Sequence, residues 1–220
     1  MVRQVGLRLR THWRTKTIGL SLGMTVFFAV YFRLLKHPIF PVTSMPLTSI
    51  DRFVGFQPET LPLYLSLWIY LSLAFGLLKS RRELLSVGAA AVALSAVGLG
   101  IFLVWPTAVP DLGINWASHP SFSFLKTVDA SGNACPSLHV AFAVFSAIHL
   151  GRLLREMQAG AIVRLGNWLW CLGIVYSTLA TGQHVAVDAL GGAPLGAIFA
   201  LPPFFRPATL ADSAPTRDGR

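Results

Sequence analysis

Residues 84–105, LLSVGAAAVALSAVGLGIFLVW, run without a single charged side chain. Crossing the hydrocarbon core of a membrane takes roughly 18 apolar residues or more, and this run exceeds that length. In lipid every backbone N–H and C=O must be paired within the chain, so such a segment is a helix. Five further apolar runs, 18–35, 61–78, 136–154, 162–181 and 184–205, have comparable length. In chain order, Arg152 and Arg164 lie in the fourth and fifth of the six runs, and the sixth carries Asp188 and three prolines. Basic side chains near helix ends snorkel to the interface, and polar groups in spans gather at working sites. The segments of alternating polarity that build a transmembrane barrel are absent. Only 12% of the 220 residues are charged, against about 25% in soluble domains. The expected fold is therefore all-α, an integral membrane bundle of six transmembrane helices.

The net charge of +9 would suit a nucleic-acid partner, but its placement argues for membrane orientation. With six alternating spans, one side carries Arg3, Arg8, Arg10, Arg14, Lys16, Lys79, Arg81, Arg82, Arg152, Arg155, Arg164, Arg206, Arg217 and Arg220. The other keeps only Arg33, Lys36, Arg52 and Lys126. Cytoplasmic loops are enriched in Lys and Arg, so the first side is expected in the cytoplasm with both termini. No nucleic acid is implied, and a bacterial inner membrane fits. Residues 1–17 read as a basic, amphipathic cytoplasmic lead, 18–205 as the membrane domain and 206–220 as a disordered cytoplasmic tail. The Ala-, Gly- and Ser-rich third run is expected to be a central packing helix, because small residues let helices approach closely in lipid. Cys135 and Cys171 fall at different depths and read as small packed hydrophobes, with neither a disulfide nor a metal site implied.

Three polar residues stand out in apolar surroundings: His139, His184 and Asp188. His184 and Asp188 are four apart in GQHVAVDALGG, so on a helix they share a face. Asp188 could hold one ring nitrogen and leave the other to react, the arrangement of a catalytic base and its orienting group. His139 follows Pro136, a residue suited to a first helical position. The N–H groups of that helix start, with Ser137 Oγ, would bind an anion. In the six-span topology the start of span four and the junction of spans five and six lie at one outer face. Two histidines, one carboxylate and an anion site point to phosphoryl or phosphodiester transfer. His184 would attack phosphorus to give a phosphohistidine, and His139 would protonate the leaving alkoxide. No metal or other cofactor is called for. Gly191 and Gly192 read as packing glycines.

The segments PSLH and YSTLATGQHVAVDALGG resemble the second and third signature motifs of the type-2 phosphatidic acid phosphatase superfamily. The likeness covers nearly the whole chain, and YSTLATGQHVAVD, VDASGNACPSLHVAFA and TSIDRFVGFQP are most similar to the inositol-phosphorylceramide synthase branch. The resemblance implies His184 as nucleophile, Asp188 as its partner, His139 as acid and base, and a lipid substrate at headgroup level. This chain lacks the superfamily's first motif. It has Pro110-Asp111 where relatives of the branch often carry Pro-Arg, and Thr178 where phosphatases carry Arg. These departures remove guanidinium clamps on a dianionic phosphate. They tilt the expectation toward a phosphodiester headgroup, with a lipid monoester phosphatase or a non-catalytic lipid-binding scaffold as alternatives. Lys126, Arg52 and His119 are left as candidates for charge compensation, each otherwise an ordinary solvated loop residue.

Overall fold

The computed structural model describes residues 1–122 and 132–201. Helix α1 (Val2–Arg10) separates Val2, Val5 and Leu9 from Arg3, Arg8 and Arg10. His12, in the left-handed region at φ 52°, turns the chain into α2 (Trp13–Lys36). The outer segment that follows contains a two-residue strand, β1 (Thr43–Ser44), and a short helix, α3 (Ser49–Val54). Helices α4 (Leu61–Leu65) and α5 (Leu67–Gly76) come next, then α6 (Arg81–Val104). A second outer segment holds β2 (Thr107–Ala108) and a 3-10 turn at Trp116–Ser118. Among the described residues after 132, the helices are α7 (Leu138–Glu156), α8 (Ala161–Ala180) and α9 (Ala186–Ala200).

Among the described residues, α2, α6, α7 and α8 are long and apolar enough to cross a membrane. The run expected as one span over 61–78 is two helices, interrupted at Ser66. Ser66 Oγ donates to the Leu63 carbonyl at 2.6 Å and accepts from Trp170 Nε1 at 2.8 Å. A serine hydroxyl that bonds the preceding turn competes with the helical ladder and bends it. The last run contains α9, a helix of 15 residues that ends at Ala200. The outer segments depart from a purely helical chain in one small way. Residues 43–44 and 107–108 pair as parallel strands, with Thr43↔Thr107 and Ser44↔Ala108 in register. Two extended segments leaving α2 and α6 side by side satisfy their N–H groups on each other, for example Met45 N–H on Ala108 O at 2.9 Å.

The centre of the bundle is α7 and not α6. Of the apolar window of α7, 72% is buried, against 28% for α6. Small residues permit close approach without compelling it. A side chain at Gly88 or Gly100 of α6 would meet nothing within 4 Å. Gly98 of α6 does make room for Leu138 of α7, but the glycines that let backbone meet backbone lie where α7 meets α9. A Cβ at Gly192 would overlap the Ser137 carbonyl oxygen, and one at Gly196 the Ala141 carbonyl oxygen. The two glycines, four apart, let backbone lie against backbone. Polar contacts fix the remaining neighbours. Asn167 of α8 donates to Ala147 O of α7 at 3.0 Å and accepts from Tyr70 Oη of α5 at 2.8 Å.

Charge gathers at the end of the bundle away from the outer segments. Glu156 lies 3.3 Å from Arg8, 3.4 Å from Arg152 and 3.7 Å from Lys79. Lys16 Nζ donates to Arg8 O at 2.6 Å and Gly76 O at 2.7 Å, placing an ammonium where two helices end. Cations are favoured at helix C-termini, so Lys16 and Arg8 fasten α1 to the bundle. Both cysteines are buried and free.

Replacing Gly196 by Ala is expected to cost about 1–3 kcal/mol through overpacking, seen as a lower thermal midpoint in detergent. Gly88→Ala, in open space, should leave the midpoint unchanged or raise it.

Candidate active site at the outer end of the bundle

The turn from α8 to α9 carries His184. Its sharpness depends on Gly182, at φ +62°, where a Cβ would also press on Leu112 Cδ1 at 2.9 Å. The Thr178 carbonyl accepts from the N–H groups of Gln183 and His184 at 3.2 and 3.1 Å. Thr178 turns its own hydroxyl back to Val175 O at 2.7 Å. The Thr178 backbone carbonyl therefore holds the His184 loop.

His184 and Asp188 do meet, but not as neighbours on a helix face. His184 precedes the helix, and Asp188 lies in the first turn of α9. The carboxylate reaches back, accepting from Val185 N–H at 2.9 Å through Oδ2 and placing that same oxygen 3.5 Å from His184 Nδ1. A carboxylate in a first helical turn satisfies an orphan N–H and is stabilised by the positive end of the helix. Asp188 has no exposed surface, while the His184 side chain is 11% exposed. Among the described residues, His184 Nδ1 and Asp188 Oδ1 have no hydrogen-bond partner within bonding geometry. A buried polar atom left unpaired costs about 1–3 kcal/mol, so the pair has a driving force to shorten from ion-pair to hydrogen-bond distance. A proton on Nδ1 facing the carboxylate leaves Nε2 with its lone pair.

The start of α7 is stitched to the same place. Ser137 N–H donates to the Asp188 carbonyl at 2.9 Å. Ser137 is the N-cap, its Oγ accepting from Val140 N–H at 3.2 Å, so that lone pair serves the helix itself. Pro136 stands one residue before the cap and not at the first helical position expected for it. His139 is buried, its ring stacked on Tyr64 with centroids 3.9 Å apart. Its Nε2 sits 2.9 Å from the Tyr64 carbonyl oxygen. A carbonyl only accepts, so Nε2 carries the hydrogen and Nδ1 is left for proton transfer. The interruption at Ser66 opens the α4 turn in which that carbonyl lies. His139 and His184 are within electrostatic reach of one another.

A cavity of about 250 Å³ opens beside His184. Its walls include Arg52, Asp51, Asp111, Phe56, Leu112 and Val185. Arg52 is the one Lys or Arg among the lining residues. His119 is not among them. It packs edge-on against Phe56, with centroids 4.9 Å apart, and against Phe122 at 6.4 Å. Lys126 lies outside the described residues. No group of three or more His, Cys, Asp or Glu among the described residues is arranged to hold a metal ion.

Three contributors were not singled out by sequence. Tyr64 gives His139 a stacking face and a carbonyl, and nothing in its local sequence marks it. Gly182 follows from the need for a tight turn between two helices. Asp51 accepts from Ala186 N–H at 2.7 Å, at the first residue of α9. The spacing from Thr48 to Asp51 marks a helix start, but not that remote bond.

The family model of the PAP2 superfamily matches residues 59–201. The matched region begins just before α4, ends after α9 and includes His139, His184 and Asp188. The chain belongs to the PAP2 superfamily, and membership supports a function of the phosphatase or phosphotransferase type. No curated protein and no solved structure matches the chain.

Asp188→Asn keeps an acceptor for Val185 N–H but removes the charge facing Nδ1. Histidine-selective 15N NMR in detergent is expected to show His184 moving from one dominant Nδ1–H tautomer to a mixture, while the His139 signals stay in place.

Proposed function

We propose that the protein is a lipid phosphotransferase or phosphatase that opens a phosphate ester by forming a phosphohistidine on His184. Transfer of a phosphodiester headgroup, as in inositol-phosphorylceramide synthases, is favoured over hydrolysis of a monoester. The observation that carries this reading is the buried Asp188 carboxylate 3.5 Å from Nδ1 of a histidine on the wall of a cavity shared with Arg52.

In the first step His184 Nε2 attacks phosphorus, forming the N–P bond as the P–O bond to the leaving alcohol breaks. Protonated His139 gives that alkoxide its proton from Nδ1. In the second step the neutral His139 takes a proton from the acceptor, whose oxygen displaces His184 Nε2 from phosphorus. Water as acceptor yields a phosphatase, and a lipid alcohol yields a transferase. Asp188 stabilises the positive charge that grows on the imidazole. Arg52 compensates the phosphate.

Charge arithmetic supports the diester. A monoester phosphate carries nearly two negative charges and a diester one. The cavity sets a single arginine against Asp51 and Asp111, an unfavourable balance for a dianion. Asp111 occupies the place where the resembling branch carries arginine. The six-crossing topology is part of the same reading, with α4–α5 forming one crossing and α9 beginning another. The end holding Glu156 and its cations would then face the cytoplasm of a bacterial inner membrane, and the cavity the opposite side.

Purified protein incubated with lipids labelled at phosphorus, then quenched, is expected to carry an acid-labile, alkali-stable label that His184→Ala abolishes. His139→Ala should lower turnover by about 10²–10⁴-fold, the usual contribution of a positioned proton donor. Labelled headgroup appearing on a new lipid, without inorganic phosphate, supports transfer. Phosphate release supports hydrolysis. Neither label nor turnover across lipid classes would leave only a binding scaffold. On the charge argument, Asp111→Arg is expected to raise turnover of lipid monoester phosphates relative to diesters, measured as the ratio of kcat/KM values.

A further inference from the structure

We infer that Asp51, on the outer helix α3, is a positioning residue for the His184–Asp188 pair, acting through the backbone N–H of Ala186; this rests on His184 being the nucleophile. Asp51 divides its carboxylate between two jobs. Oδ2 accepts from Thr48 N–H at 2.7 Å and Thr48 Oγ1 at 2.8 Å, closing the start of α3. Oδ1 accepts from Ala186 N–H at 2.7 Å, a residue 135 positions later in the chain.

The bond falls at a sensitive point. Asp188 holds the N–H of Val185, and Asp51 holds the next one, that of Ala186. Two carboxylates from distant parts of the chain thus fix consecutive peptide groups directly after His184. Both lie at the positive end of α9, which favours negative charge there. Hydrogen bonds to an ionised acceptor are about twice as strong as neutral ones. The same junction is held a second time. Gln57 N–H donates to Ala180 O at 2.7 Å, and Tyr176 Oη donates to Gln57 Oε1 at 2.9 Å. The next residue after Asp51, Arg52, lines the cavity. Helix α3 therefore ties the phosphate-facing cation to the peptide that sets the nucleophile's position. Its carboxylate touches no reacting atom.

The test compares Asp51→Ala, Asp51→Asn and Arg52→Ala in the full-length protein with the lipid substrate that wild type turns over. Hydrogen–deuterium exchange of the peptide carrying Ala186 is measured alongside. A misplacement of 1 Å near reacting groups costs about 10²-fold, so Asp51→Ala is expected to lower kcat by about 10- to 100-fold without raising KM, since the lost carboxylate also lines the cavity. Asp51→Asn should recover part of kcat, since its amide oxygen still accepts from Ala186. Arg52→Ala should raise KM instead. Exchange at Ala186 should quicken in Asp51→Ala. Thr48→Val, which removes one partner of Oδ2, should show the same kcat loss in smaller measure and serves if Asp51→Ala folds poorly. Retained kcat in both Asp51→Ala and Thr48→Val, or a rise in KM alone, overturns the inference and leaves the nucleophile intact. A wild-type protein without turnover overturns the nucleophile reading first, and the positioning role with it, whatever the exchange shows.

Discussion

Everything at the outer end of this bundle depends on how closely α9 lies against α7. At Gly192 and Gly196 the two helices come within reach of each other's backbone, with no side chain between them. That approach allows Ser137 N–H to donate to the Asp188 carbonyl. The helix start that carries His139 and the one that carries Asp188 are thereby held by one main-chain bond. In lipid there is little hydrophobic force between helices, so packing density and polar contacts must supply the association. The glycines give the density, and the Ser137–Asp188 bond gives one of the polar contacts.

The two ends of the molecule treat charge in opposite ways. At one end, Glu156 has Arg8, Arg152 and Lys79 around it, and Lys16 caps two helices. Charges there are neutralised in clusters or spent on carbonyls. At the other end, Asp188 is wholly buried with one oxygen unpaired, and Arg52 stands exposed on a cavity wall. An Asp in mid-membrane costs about 2.5–3.5 kcal/mol on insertion scales. Asp188 offsets that cost with a helix N–H and an imidazole.

The helices were readable because lipid imposes a single rule on the backbone, and apolar length expresses it directly. The interruption at Ser66 was not, since one serine in an apolar run is ordinarily tolerated and its bond to Trp170 is a matter of packing. The central position of α7 was misread for a related reason. Small residues show where approach is possible, and α6 has more of them than its contacts use. The pairing of His184 with Asp188 was legible from spacing, yet its geometry belongs to a helix start and not to a helix face. His139 stands out in the sequence as a polar residue in an apolar run, whereas Tyr64, whose carbonyl it faces, carries no sequence signal. Arg52, a candidate for charge compensation, lines the cavity beside His184; His119, another candidate, packs among aromatic rings instead. Asp51 shows the limit most clearly. Its bond to Thr48 is three residues away, and its bond to Ala186 can be seen only in three dimensions.

Leu112 and Ile114, from the chain between α6 and α7, crowd Gly182 in the turn that presents His184. The wall beside His184 is therefore loop, while His184 and Asp188 are set by helix ends. Under the proposed function, exchange of residues around Asp111 would reshape what the cavity accepts without disturbing the helices that hold His184 and Asp188. Selectivity and reactivity sit on separately replaceable pieces, and a lineage could change the first while keeping the second.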